Sequence, residues 1–219
     1  MVAAAVLTVA LSLGQTGAKP PRDVFTDGPD GNTLRRAMQA AGGATMIRAR
    51  LQNFRAASTA EVLAVPNAGG RVVNAYVEFL GDNAAQRADA RTALEGIIKG
   101  FEEDAARRKD TADLGAAASF LLIMAVGAYE PVNPSDTQLN LMSRQMRAAL
   151  QPLTKLPERQ RRDTYEALLC ASGQLLMLSQ SGAQARGALR EMAAQSTLLV
   201  LGIPPSRLKL TETGFQVVR

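Results

Sequence analysis

Length, composition and charge limit what this chain can be. Its 219 residues are enough for one domain with a substantial hydrophobic core. It has no histidine and a single cysteine, Cys170, which excludes a Ser-His-Asp triad and an intramolecular disulfide and argues against zinc and haem sites. We therefore expect no cofactor and no metal. Thirty-eight alanines, three tyrosines and no tryptophan favour closely packed helices over a sheet.

Residues 1–18 have the features of an export signal. Val2–Leu13 is an uncharged apolar run of signal-core length, shorter than the ~20 residues of a membrane span. Thr16 and Ala18 are small residues at positions −3 and −1 of a cleavage site before Lys19. No Lys or Arg precedes the apolar run, so either the true start lies upstream or the segment is a short buried helix. We favour export, with residues 1–18 removed as a signal peptide.

Residues 19–70 form the next region, for which we predict a flexible or irregular conformation. Residues 19–32 are rich in Pro, Gly and Asp, as in a flexible leader. Residues 33–41 have the pattern of a short helix, whereas 44–54 fit a strand and a helix equally well. Residues 66–70 have the composition of a loop.

From residue 71 the apolar residues recur with helical spacing. The predicted helices span 71–80, 84–109, 111–129, 135–153, 157–180 and 184–201. Short loops join them, so we predict an all-α fold, a single antiparallel bundle of five or six helices over residues 71–219. The tail, Leu208–Val218, has the pattern of a short hairpin or extended edge.

One predicted helix is apolar all round. Residues 114–129 carry no charge, but sixteen residues fall short of the ~20 that a span needs, so we predict the central helix of the bundle. One shared core should then contain a leucine from each of four helices: Leu121, Leu150, Leu169 and Leu198.

Arginines and lysines occur in four small groups. The groups are Arg35-Arg36, Arg48/Arg50, Arg107-Arg108-Lys109 and Arg159/Arg161/Arg162. Acidic residues precede the third group at i−4, which predicts a self-neutralising helix face formed by Glu103–Arg107 and Asp104–Arg108. No aromatic residues are interleaved with these groups, so we expect no nucleic-acid partner.

Two carboxylates lie next to apolar helical stripes. Asp113 begins the uncharged helix, where it is either a helix cap or a desolvated acid. Glu166 is either the ion-pair partner of Arg162 or Arg147, or a general acid. Cys170 lies in an apolar helix without a histidine base, so we expect a buried, inert thiol.

Residues 109–218 resemble a family of exported bacterial helical proteins of unknown function. The matching elements, in order, are Asp113–Ala117 before Phe120 and Tyr129, Gln145–Arg147 before Leu150, Tyr165-Glu166, and Leu208–Phe215. The chain departs from the family pattern at Ala112, where the family has Asn, and at Arg162, where it has Gln. The resemblance implies an exported helical domain without a known activity. It marks four residues as one candidate buried polar cluster: Asp113, Arg147, Tyr165 and Glu166.

These features predict a periplasmic or secreted, non-catalytic helical protein that binds a ligand or serves a structural role. Its partner is an unidentified protein or component of the cell envelope, and no membrane span remains after signal cleavage. One alternative is a carboxylate-dependent hydrolase acting on cell-wall glycan; another is a membrane-anchored protein that retains residues 2–13. A pocket with two suitably spaced acids would favour the hydrolase, whereas pairing of Asp113 and Glu166 with arginines would favour the non-catalytic protein.

Overall fold

The computed structural model describes residues 31–55, 61–65 and 70–218. The predicted signal peptide and most of the predicted leader therefore lie outside the described residues. Eight α-helices and one β-hairpin occur in the described part of the chain. They are α1 Gly31–Ala40, α2 Gly43–Asn53, α3 Arg71–Leu80, α4 Ala84–Arg107, α5 Leu114–Gly127, α6 Asp136–Leu150, α7 Glu158–Gln180, α8 Arg186–Leu201, β1 Leu208–Thr211 and β2 Gly214–Val217.

The mostly helical fold with a short extended tail agrees with the all-α prediction. Local sequence explains several helix ends. Ser135 and Gln138 form the capping box expected before α6, each side chain accepting from the other's main-chain N–H. Gly202 ends α8 in the left-handed conformation with φ 66°, which glycine adopts without strain.

Residues 31–53 of the region 19–70 are helical rather than irregular, and α1 agrees with the short helix predicted over residues 33–41. These residues form α1 and α2, and both helices pack into the core. Leu34, Met38, Ile47 and Leu51 are each at most 2% exposed. The alternating pattern of residues 44–54 fits a strand and a helix equally, and burial of Ile47 and Leu51, four residues apart, selects the helix.

Helix α5 lies at the centre of the packed helices. It packs against α6, α7 and α8, and eleven of its fourteen residues are buried. No helix among the described residues is both long and apolar enough to cross a membrane.

Three of the four leucines predicted to share a core are fully buried, namely Leu121, Leu150 and Leu169. The prediction for Leu198 is wrong, because this side chain is 50% exposed. The buried stripe of α8 passes through Thr197 and Leu201 instead, so Leu198 faces solvent.

The C-terminal hairpin is attached to α6 by a glutamine. Leu210 of β1 pairs with Phe215 of β2 in an antiparallel register. The Gln145 side chain accepts from the Phe215 N–H at 2.7 Å and donates to the Phe215 carbonyl at 3.4 Å. Gly214 has φ +97°, and an ideal Cβ there would lie 2.7 Å from Gln145 Cδ. Glycine is therefore required for this approach of the hairpin to α6.

Two arginines of α2 bind carbonyl groups at the ends of other helices. Arg48 donates to the Leu201 carbonyl at the end of α8, at 3.1 Å. Arg50 donates to the Ala41 carbonyl, just after α1, at 2.6 Å. It also donates to the Ala149 carbonyl, in the last turn of α6, at 3.2 Å. Helix C-terminal carbonyls lack partners within their own helix, so these arginines satisfy groups that helix geometry leaves open.

Candidate functional site

Asp113 is the N-cap of α5 and is completely buried. Its Oδ1 accepts from the Ala116 N–H at 2.9 Å, and this hydrogen bond is the helix cap expected from the position of Asp113. Its Oδ2 accepts from the Leu63 N–H at 2.9 Å and from Arg147 Nε at 2.7 Å. Three N–H donors thus surround this carboxylate, and two of them belong to the main chain.

Arg147 reaches Asp113 from the last turn of α6. Its Nη2 donates to Asp110 Oδ1 at 2.7 Å and to the Thr111 carbonyl at 2.8 Å. Burial lowers the pKa of the Arg147 guanidinium, but the hydrogen bonds and charges of Asp113 and Asp110 outweigh burial and raise that pKa above its usual value. The guanidinium therefore remains charged and joins α6 to the loop before α5.

The ion pairs continue from Asp110 to the end of α4. Arg108, whose side chain is 4% exposed, binds Asp104 at 2.7 Å and lies 3.7 Å from Asp110. Asn140 of α6 accepts from Arg108 Nη1 and donates to the Arg108 carbonyl. Carboxylates and guanidiniums therefore alternate along a chain of five residues: Asp104, Arg108, Asp110, Arg147 and Asp113. Of these, Arg108, Arg147 and Asp113 are buried.

Glu166 of α7 caps a different helix. Its Oε1 accepts from the Gly70 N–H at 2.5 Å and its Oε2 from the Val72 N–H at 3.1 Å, at the N-terminus of α3. Arg162, one turn earlier on α7, donates from Nε to Oε1 at 2.8 Å. A buried carboxylate thus satisfies N–H groups that the first turn of α3 leaves without partners.

The Tyr165 hydroxyl binds neither Asp113 nor Glu166. Its hydroxyl donates to Glu102 Oε1 of α4 at 3.0 Å, and the Arg162 guanidinium lies 5.3 Å from the centre of its ring. Burial raises the pKa of Tyr165, and the neighbouring charge of Glu102 raises it further. The phenol therefore stays protonated at neutral pH and links α7 to α4.

The four residues predicted to form one cluster contribute to two separate sets of contacts. Asp113 and Arg147 bind each other, whereas Glu166 binds Arg162 and not Arg147. Consecutive helix residues point ~100° apart, which explains why Tyr165 contacts α4 while Glu166 contacts α3.

Sequence reasoning missed the contribution of Asp110 and Asn140 to the first set. Only the i,i+4 spacing of Asp104 and Arg108 indicated this set of contacts, and their side chains are largely buried rather than on a solvated face. Glu103 lies 3.8 Å from Lys99 instead of pairing with Arg107.

A shallow depression of about 200 Å³ opens beside Glu166, between α3, α4 and α7. Its charged lining consists largely of pairs already formed within the protein, such as Arg91 with Glu95 and Arg162 with Glu166. Within residues 31–55, 61–65 and 70–218, no group of three or more Asp, Glu or Cys side chains is arranged to hold a metal ion.

One protein-family model matches almost all of the residues that the structure describes. The model of DUF6683, a family of unknown function, matches residues 26–218. The chain belongs to this family. The resemblance of residues 109–218 to an uncharacterised domain is thereby confirmed. The DUF6683 match begins well before residue 109 and includes α1 and α2, in agreement with the burial of both helices in the core. No curated protein and no solved structure matches the chain.

Proposed function

We propose that this DUF6683 protein is exported and acts as a non-catalytic binding or structural component of the cell envelope. The main support for a non-catalytic role is that both buried carboxylates are paired with arginines inside the protein. Asp113 and Glu166 each accept from one guanidinium and two main-chain N–H groups. This arrangement is the one that favours a structural role over acid catalysis.

A catalytic acid must reach its substrate. The Asp113 and Glu166 side chains are 0% and 1% exposed. Their oxygens are directed at helix N-termini and arginines within the protein. Glycoside hydrolysis requires two carboxyl groups flanking a bound sugar, a geometry that capping carboxylates do not provide. These features support a structural role for both residues.

We further propose that the helices form a single antiparallel bundle around α5. Packing of α5 against α6, α7 and α8 supports this arrangement. The export part of the proposal depends on the sequence of residues 1–18, as does the alternative in which residues 2–13 remain as an anchor.

Glu166→Gln and Asp113→Asn test the non-catalytic proposal. Each change weakens a buried carboxylate–arginine contact and introduces an amide nitrogen where an N–H acceptor is needed. We expect each to lower the free energy of unfolding by about 3 kcal/mol, because loss of one partner leaves the other buried charge uncompensated. Thermal melts would be recorded beside a cell-wall clearing assay on the same samples.

Glu95→Gln is the matched control. It removes the carboxylate of an exposed i,i+4 pair with Arg91, so the expected loss is below about 1 kcal/mol. Reduced stability of the two buried variants, with no clearing by the wild-type protein, supports the proposal. Clearing by the wild type that disappears in either variant without a change in melting would replace it with the hydrolase.

A further inference from the structure

We propose that exposed cations on α1 and at the start of α7 bind the anionic headgroups of a lipid membrane. The cations are Arg35 and Arg36 of α1, Lys155 of the 3-10 turn 151–155, and Arg159 of α7, here called the basic patch. All four residues are exposed. Their elements adjoin, because α1 packs against both the 3-10 turn and α7.

The other basic groups seen in the sequence are largely neutralised or bound within the protein. Arg107 and Arg108 both bind Asp104. Arg48 and Arg50 bind helix carbonyls, as described above. In the group on α7, Arg162 binds Glu166 and Arg161 donates to the Ala64 carbonyl. The cations of these groups are therefore less available to an external partner than those of the basic patch.

The basic patch lacks this compensation. None of its four cations forms an ion pair with a carboxylate of the described residues, and Arg35 donates only to the Asn32 amide oxygen, at 3.4 Å. Residues 31–55 contain no Asp or Glu. Two exposed carboxylates of the described residues adjoin the patch, namely Glu158 at the start of α7 and Glu61, which accepts from Gln151 of the 3-10 turn. Asp163 is bound to Arg71. Among the described residues, four positive charges thus face solvent beside two negative charges.

The composition of this surface favours lipid phosphates over single-stranded nucleic acid. Neither α1 nor residues 151–159 contain an aromatic residue, whereas grooves for single-stranded nucleic acid stack bases on aromatic rings. A charged membrane surface needs only cations held close to its plane, at about 1 kcal/mol per basic residue. The choice of a membrane rests on the export proposal, since an exported protein meets envelope lipids. Vesicle binding itself is measured on purified protein and does not depend on export.

Co-sedimentation with vesicles of phosphatidylglycerol and phosphatidylcholine in equal parts tests the inference. Arg35→Gln/Arg36→Gln should weaken partitioning about 30-fold, which is ~1 kcal/mol for each of two basic residues. Lys155→Gln/Arg159→Gln should weaken it to a similar extent. The matched control is Lys99→Gln/Arg186→Gln, which removes two exposed cations of α4 and α8 and gives the same net charge.

Loss of binding in the patch variants but not in the control, with unchanged melting of all three, supports the inference. Wild-type binding should also disappear in high salt, since the screening length falls from ~10 Å at 0.1 M to ~3 Å at 1 M. Equal losses in patch and control variants, absence of wild-type binding at low salt, or tighter binding to duplex DNA than to vesicles would overturn it.

Discussion

At Gly115 the backbones of α5 and α6 approach more closely than a side chain allows. An ideal Cβ at this position would lie 2.7 Å from the main-chain nitrogen of Arg147 and 2.9 Å from its Cα. These neighbours are backbone atoms, so a rotamer change cannot relieve the contact. The same approach brings the Arg147 guanidinium to Asp113, so the ion pair depends on a glycine in the facing helix.

Gly115→Ala should therefore destabilise the protein by about 1–3 kcal/mol, the usual cost of overpacking a core. Gly187→Ala is the matched control, because no atom lies within 4 Å of an ideal Cβ on this helical glycine. It should stabilise the protein by ~0.5–1 kcal/mol through helix propensity. Urea unfolding measures both. A Gly115→Ala protein as stable as wild type would contradict the close helix contact.

Individual residues of the site were only partly predictable. Capping by Asp113 and the Arg162–Glu166 pair both depend on positions along a single helix, so the sequence predicts both as alternatives. The contact of Asp110 with Arg147 joins residues 37 positions apart and depends on how α6 packs beside the loop before α5. Pattern along the chain carries no information about that packing.

Among the elements, the hairpin depends most visibly on one side chain. The Gln145 side chain supplies the hydrogen bonds that a neighbouring strand would give to Phe215. It accepts from the Phe215 N–H and donates to the Phe215 carbonyl. Gln145→Ala leaves both groups without these partners in a buried position. We expect a loss of about 1–3 kcal/mol, with faster amide hydrogen exchange across β1 and β2.

Gln216→Ala is the control for this prediction, because the Gln216 side chain is exposed and donates to Thr213 in the hairpin turn. It should leave exchange in β1 nearly unchanged. Similar exchange in wild type and Gln145→Ala would show that burial of Leu208 and Phe215, rather than the glutamine, holds the hairpin in place.

Elements with strong local signals were predicted well. The predicted helix over residues 71–80 has the observed bounds of α3, and the capping box placed the start of α6 correctly. Residues 44–54 lacked such a signal. Their apolar residues are few, and two arginines of α2 make polar contacts with distant helix ends, so tertiary contacts decided the conformation.

For the whole molecule, export remains a prediction from residues 1–18. If the signal is cleaved after Ala18, the protein recovered from the periplasm or medium should begin at Lys19. N-terminal sequencing measures this directly. The control is Thr16→Arg/Ala18→Arg, which removes the small residues at −3 and −1 and should leave the precursor uncleaved. Wild-type protein found only in the cytoplasm with Met1 intact would contradict export.

The limits of the domain were the least predictable feature of the whole molecule. The sequence suggested a helical unit beginning at residue 71, whereas the DUF6683 match begins at residue 26 and α1 and α2 belong to the core. Short amphipathic helices flanked by Gly- and Pro-rich stretches give weak local signals. Their inclusion becomes apparent only from the surfaces they bury.

The two arginines of α2 also constrain the order of events during biosynthesis. Arg48 binds a carbonyl 153 residues further along the chain, and one partner of Arg50 lies 99 residues away. The ribosome therefore completes α2 long before α6 and α8 exist. Until these helices emerge, Ile47 and Leu51 lack the neighbours that bury them. The native position of α2 is consequently reached only once α6 and α8 are available to fold with it, and a chain shortened before α8 would leave this helix exposed.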